Sequence, residues 1–141
     1  VAVRVKIKLN FKKKSLITVA VANAGFESDE DELLIPLPVA LKLGMEKAMR
    51  KAKRESYKAV GRYIEMIKVP TKTKINVITN DKVSSPIKCT TIISETEDEV
   101  IINDKSIGDL EIVIENAGEG LWRFRHDPIE RLRESEEPVR W

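Results

Sequence analysis

The chain has 141 residues, 42% of them hydrophobic and 34% charged, with a net charge of +2. That is one domain's worth of sequence, long enough to bury roughly 70% of its unfolded surface without staples. The near-balanced charge argues against a nucleic-acid or membrane partner. One cysteine, Cys89, and one histidine, His126, exclude an intrachain disulfide and a multi-histidine metal site.

Residues 1–10 alternate, with Val1, Val3, Val5, Ile7 and Leu9 on one face and Ala2, Arg4, Lys6, Lys8 and Asn10 on the other, which predicts a half-buried strand. Lys12-Lys13-Lys14 make a turn. A second strand over 16–22 is apolar enough to be covered on both faces. Residues 27–32 read as an acidic loop and 33–35 as a short buried strand. Pro36 and Pro38 end that strand and start a helix over 39–43, with Gly44 as its C-terminal cap.

Residues 45–69 support two readings. Met45, Met49, Ala52, Ser56, Val60, Ile64 and Ile67 fall near helical spacing, as in one long basic helix to about Met66. Tyr57, Val60, Tyr63, Ile64 and Ile67 instead suit strands, with Gly61-Arg62 as a hairpin tip. A short helix to about Arg54 followed by a hairpin is the expectation taken forward. Beyond it come strands over 74–79, 87–94 and 100–102, with turns at 80–82 and 95–98. Asn103-Asp104 cap a short helix over 105–110. Strands over 111–114 and 121–124 flank a turn at 116–120, and from Asp127 onward the charged, proline-punctuated chain predicts a surface tail.

No run approaches the ~20 apolar residues of a membrane span. The start shows no charged-then-apolar signal pattern, so a cytoplasmic protein is expected. Glutamine is absent while Lys, Glu, Ile and Val abound, a bias typical of thermophile proteins.

The segment Val19-Ala20-Val21-Ala22-Asn23-Ala24-Gly25-Phe26-Glu27 is the most informative. An apolar strand ends in a small, polar, Gly-containing turn, and the apolar Leu33-Leu34-Ile35-Pro36 follows an acidic loop. Alone, Asn23-Ala24-Gly25 is an ordinary turn. Two further stretches follow in order: Val39-Ala40-Leu41-Lys42-Leu43-Gly44, then Val100-Ile101-Ile102-Asn103-Asp104 leading to Ile112-Val113-Ile114. In that order, over about residues 1–125, the chain resembles a retropepsin-like aspartic protease monomer. It is also similar to a group of uncharacterised archaeal proteins with an Asn-containing triplet and a Gly-Leu-Trp-Arg-Phe-like end.

The resemblance implies a mainly β, closed barrel-like domain over 1–125 with one or two short helices, followed by a charged tail over 126–141. It implies a homodimer with one site on the twofold axis, where Asn23, Ala24 and Gly25 of each copy meet. Gly61, Arg62 and Tyr63 would belong to a flap over an extended peptide, and Phe26, Glu27, Ile102 and Asn103 would flank it. No cofactor or metal is implied.

In the family the triplet is Asp-Thr-Gly, and two carboxylates share one proton so that their pKa values split. Asn23 has the size of Asp but takes no proton at neutral pH. Ala24 lacks the hydroxyl expected to brace the loop across the twofold. Asn103 stands where the later motif usually has Gly. Three accounts follow: an inert site that keeps peptide or partner binding; other chemistry from Glu27, Asp29 or Asp104; or an Asn23 that replaces an ancestral or engineered Asp, or deamidates to one. The leading expectation is a pseudoprotease that binds an extended peptide or protein partner. The alternatives are an active aspartic-type endopeptidase and a basic nucleic-acid-binding module using Lys47, Arg50, Lys51, Lys53 and Arg54.

Blander readings attach to the other motifs. Lys12-Lys13-Lys14 and the 47–54 segment are solvated surface, since acidic runs nearly cancel them and no aromatic platform is interleaved. The 27–32 acids form a hydrated turn lacking an EF-hand glycine. His126 beside Asp127 is a surface histidine, and Cys89 is core. Trp122 and Phe124, alternating with Arg123 and Arg125, suit either core or an interface.

Overall fold

The computed structural model describes residues 2–59 and 61–141. Val1 and Val60, both used in the strand expectations, lie outside the described residues. The fold is mainly β, with nine strands and three short helices among the described residues. The strands are β1 (Arg4–Phe11), β2 (Lys14–Ala22), β3 (Glu32–Pro36), β4 (Lys53–Ala59), β5 (Arg62–Val77), β6 (Ile87–Ser94), β7 (Val100–Ile102), β8 (Ile112–Asn116) and β9 (Leu121–Phe124). The helices are α1 (Leu37–Lys42), α2 (Glu46–Arg50) and α3 (Asp104–Asp109). The one or two helices expected are therefore three.

The order β1-β2-β7-β3-β6-β5 closes on itself through β1–β5, a six-stranded barrel, and β4 continues from β5 as an outer edge. The alternation of β1 sets the interior: Val3, Val5, Ile7, Leu9 and Phe11 are buried inside. Leu33, Ile35, Ile75, Val77, Ile93 and Ile102 meet them there, β-branched and aliphatic residues that suit a pleated, covered surface. β2 departs from the expectation of full cover, because Ile17 is more than half exposed. It lies before the point where β7 comes alongside at Ala20.

The helix-or-hairpin segment resolves as both. α2 is five residues long, and β4 then pairs antiparallel with β5 from Lys53↔Lys68 to Ala59↔Arg62. Gly61 sits at the tip with φ +74, where a side chain would be strained. β5 continues past the expected hairpin as one 16-residue strand. Its pairing with β6 breaks between Val69 and Thr73 around Pro70, which has no N–H to donate. The first half of β5 therefore belongs to the hairpin, and the second half turns the corner to close the barrel against β1.

Residues 126–141 are irregular and largely exposed, yet they are fastened to the barrel rather than trailing from it. Arg133 and Trp122 exchange backbone hydrogen bonds of 2.7 and 3.0 Å. Ser135 Oγ donates to the Gly120 carbonyl and accepts from the Arg4 N–H. Trp141 donates its backbone N–H to the Asp98 carbonyl and its indole N–H to Thr18. Trp122 and Phe124 stack edge to face and are core, not an exposed interface.

Candidate functional site

β2 carries the Asn23 loop out of the barrel. Ala20, Val21 and Ala22 run parallel to Val100, Ile101 and Ile102 of β7, and the Asn23 N–H donates to the Ile102 carbonyl at 3.0 Å. Asn23 then folds the turn on itself. Its Oδ1 accepts from the Gly25 N–H at 3.0 Å and its carbonyl accepts from Phe26 N–H at 3.1 Å. A side chain at Gly25 would press on that Oδ1, since a Cβ there would lie 3.3 Å from it. Asn23, Ala24 and Gly25 are all exposed, with the turn facing outward from the chain.

The rest of the loop is tied to α3. Asp104 donates its N–H to the Phe26 carbonyl, and its carboxylate accepts from Ser28 and Lys105 N–H. Asp104 is thereby committed behind the loop, while Glu27 and Asp29 are exposed. Of the acids considered as substitutes for an aspartate at position 23, none lies among the residues lining the groove beside Asn23.

That groove, of about 390 Å³, lies between the loop and the β4–β5 hairpin. Asn23, Gly25 and Phe26 line it from the loop and Tyr57, Lys58, Ile64 and Met66 from the hairpin, with Leu34, Ile101 and Glu97 completing the lining. Leu34, Met66 and Ile92 make a small apolar cluster separate from the barrel core, with Phe26, Tyr57, Ile64 and Ile101 packed against it. The expected site residues divide accordingly. Asn23, Gly25 and Phe26 meet at the groove. Ala24 and Glu27 are exposed on the same loop, outside the lining. Gly61, Arg62 and Tyr63 stand exposed at the hairpin tip, beyond the lining. Ile102 and Asn103 are completely buried and shape the loop from behind, so neither offers a contact surface.

Sequence reasoning missed Tyr57, Ile64, Met66, Leu34 and Ile101. Their signal was available: Tyr57 pairs with Ile64 across the hairpin, and Met66 follows at a period of two on the same face. Glu32 was missed within the acidic run. Strand alternation places it on the face of Leu34, and it is only 4% exposed. Burial, partly offset by a hydrogen bond from Ser28, pushes its carboxyl up.

Asp31, next to it, is pushed up to about 6 by burial and by the carboxyl of Asp109, with which it shares a hydrogen bond. Asp109 is held low by that bond and by Lys105 at 3.3 Å, so the proton resides on Asp31. A folded-state value above the ordinary 3.8 means that the folded chain binds the proton more tightly than the unfolded one. Stability from this group is complete below about pH 4 and is lost as pH rises through about 6. Asp31→Asn should thus gain on the parent between those limits and hold a constant advantage above them. Melting curves across that range check this; a gap that does not vary with pH would refute it.

The basic segment 47–54 spans two elements, with Lys47 and Arg50 on α2 and Lys53 and Arg54 on β4. Arg54 pairs with Glu65 and Glu95, each at 3.3 Å. Among the described residues no cluster of three or more His, Cys, Asp or Glu side chains is arranged to hold a metal, and no helix is long and apolar enough to cross a membrane. Comparison with protein-family models and with curated protein sequences finds no match to this chain.

Proposed function

We propose that the protein is a retropepsin-like peptide-binding protein without protease activity, working as a homodimer whose two Asn23 loops face each other. The observation that carries this reading is the Asn23 turn. It projects from a strand lying parallel to β7, and a hairpin with an apolar groove beneath it stands alongside. That juxtaposition supports the reading of the loop as a site and the hairpin as its flap. An outward turn at the end of β2 suits a site completed by a second copy. The groove suits an extended peptide, with alternate side chains seated on Leu34, Ile64, Met66 and Ile101.

The chemistry follows from the amide. Peptide hydrolysis by paired aspartates needs one ionised member to take a proton from water and one protonated member to polarise the carbonyl. Two Asn23 amides offer neither, and each Oδ1 is already accepting from its own Gly25 N–H at 3.0 Å. The purified protein should leave denatured protein mixtures uncut from acidic to neutral pH while sedimenting as a dimer. Cleavage abolished by an aspartic-protease inhibitor would overturn the inert site, and a strict monomer at high concentration would overturn the shared one. Asn23→Asp with Ala24→Thr asks how far the scaffold is from catalysis. Acid-optimal cleavage appearing only in the double variant is the expected result.

A further inference from the structure

We infer that the cavity beside the kink in β5 binds a small phosphate dianion, free or as a monoester, held by Lys51, Lys53, Lys68 and Lys72 and by the Thr90 hydroxyl. The cavity shares no lining residue with the Asn23 groove, so the inference stands apart from the peptide-binding reading.

The kink builds the cavity. β5 keeps its register with β6 as far as Val69↔Thr91 and resumes it at Thr73↔Cys89. Pro70, Thr71 and Lys72 therefore stand opposite the single residue Thr90. Lys68 and Lys72 flank this irregularity, Lys53 pairs with Lys68 from β4, and Lys51 follows α2 directly. With Glu30, Glu55 and Thr90 these lysines line a space of about 320 Å³. Two halves of one bent strand, the hairpin edge and a helix end thus deliver four ammonium groups to one place.

Thr90 points to a ligand independently of the lysines. It is only 6% exposed, and strand alternation puts it on the face of Ile92, opposite the face that carries Cys89 and Ile93 into the barrel core. Its N–H is committed to the Asp31 carbonyl at 2.8 Å. Its hydroxyl lines the cavity and makes no hydrogen bond among the described residues. Buried hydroxyls are ordinarily paired, so a partner in the cavity would complete this one.

The charges are not balanced from within. Lys53 and Lys68 lie directly opposite each other, a like-charge pairing that weakens a sheet. Lys68 is paired with Glu30 at 3.5 Å, while the exposed Lys51, Lys53 and Lys72 have no ion-pair partner among the described residues. Glu55 accepts from the Tyr57 hydroxyl at 3.3 Å. Four lysines against two glutamates leave the lining with a net charge of +2, the complement of a phosphate dianion. Two more acids are close but do not line the cavity. Glu32 faces Thr90 in register, and burial pushes its carboxyl up. Asp31, on which Lys72 also acts, shares a proton with Asp109. A carboxylate ligand would bring one charge, whereas a phosphoryl group offers three acceptor oxygens to several ammonium donors at once. A long polyanion needs a continuing basic track, and here Arg54 is taken up by Glu65 and Glu95.

The test is calorimetric titration of the full chain with inorganic phosphate and with glycerol phosphate, at fixed ionic strength, with chloride and acetate as comparison anions. Phosphate should bind and raise the melting temperature where chloride and acetate at the same ionic strength do neither. Glycerol phosphate binding as tightly as the free ion would assign the site to a phosphorylated small molecule, and binding of the free ion alone would assign it to inorganic phosphate. Lys53→Gln and Lys72→Gln should each weaken phosphate about tenfold, and Thr90→Val about fivefold. Glu30→Gln, which releases Lys68, should tighten it. Without phosphate, Lys53→Gln and Thr90→Val should melt no lower than the parent, since one relieves a like-charge pair and the other removes an unpartnered hydroxyl. Phosphate binding no better than chloride, or unchanged in both lysine variants, would overturn the inference. So would capture of a single-stranded oligonucleotide with no response to phosphate. None of these results bears on whether the Asn23 groove takes a peptide.

Discussion

Arg133→Met is expected to lower the unfolding free energy by about 3–5 kcal/mol, the cost typical of stripping one partner from a buried ion pair. Arg133 is 8% exposed and Asp127 5%. The guanidinium donates to Asp127 at 2.8 and 3.2 Å and to Asp81 at 2.7 and 3.1 Å, a fork held between two carboxylates. Its carbon lies 5.0 Å from the Phe124 ring centre and 5.7 Å from that of Trp122, so the charge also rests against two π faces. Methionine keeps an apolar stem of similar length and removes only the charge and its donors. Asp127 is then left buried with Lys82 at 2.8 Å and the Phe124 N–H. A urea titration should show a lower midpoint with unchanged slope. Asp127→Asn combined with Arg133→Met should cost less than the sum of the two single changes, because the double variant leaves no unpaired buried charge. Acidity supplies a second check. Arg133 holds Asp127 well below the usual carboxylate range. The stabilisation is therefore present above about pH 4 and is lost as pH falls through the depressed folded value. The gap between parent and variant should narrow in strong acid, and a gap independent of pH would point to packing alone.

That network also explains what sequence reasoning overlooked. Strands with clean alternation, β1 above all, were readable because burial of one face repeats every two residues. The short strands β3 and β7 were readable as apolar runs bounded by acids, prolines and Asn103. The C-terminal segment was not, because its stability comes from pairs such as Asp81–Arg133, 52 positions apart, and charge density by itself reads as solvation. The 45–66 segment was ambiguous because its apolar residues satisfy a helical spacing and a strand composition at once. The Gly61 turn and the pairing with β6 decide in favour of the hairpin, and pairing is a tertiary property. At the candidate site, the Asn23 turn was readable from its composition. The groove walls were not, since Tyr57, Ile64 and Met66 acquire a common role only when the hairpin stands beside the loop. Asn103 was placed by motif order among the binding residues. Its capping signature was equally present in the sequence and describes what the side chain does.

The capping role carries the second large effect. The Asn103 side chain is fully buried and makes three hydrogen bonds to backbone. Oδ1 accepts from the Glu32 and Ser106 N–H groups, both at 3.0 Å, and Nδ2 donates to the Glu30 carbonyl at 2.9 Å. One residue thus joins the end of the acidic loop, the start of β3 and the first turn of α3. Asn103→Ala leaves two donors and an acceptor without partners where water has little access, and should cost about 3 kcal/mol, the cap and the loop contributing together. Asn103→Asp keeps the size and both accepted bonds but loses the donor and sets a buried charge near Glu32 and Asp31. It should be at least as damaging near neutrality and recover toward acid pH, where that carboxyl is protonated. The backbone at position 103 is extended, with φ −85 and ψ 179, so glycine would supply no needed freedom and should be as poor as alanine. Amide exchange at Glu32 and Ser106 should quicken in the alanine and glycine variants, which lose both acceptors, while exchange in β1 follows only global unfolding. Because the Asn23 loop is anchored through the same region, peptide affinity should fall more than the unfolded fraction accounts for, although Asn103 itself cannot reach the groove. Unchanged affinity in a folded Asn103→Ala protein would show that the loop holds its shape through Asp104 and Ile102 alone.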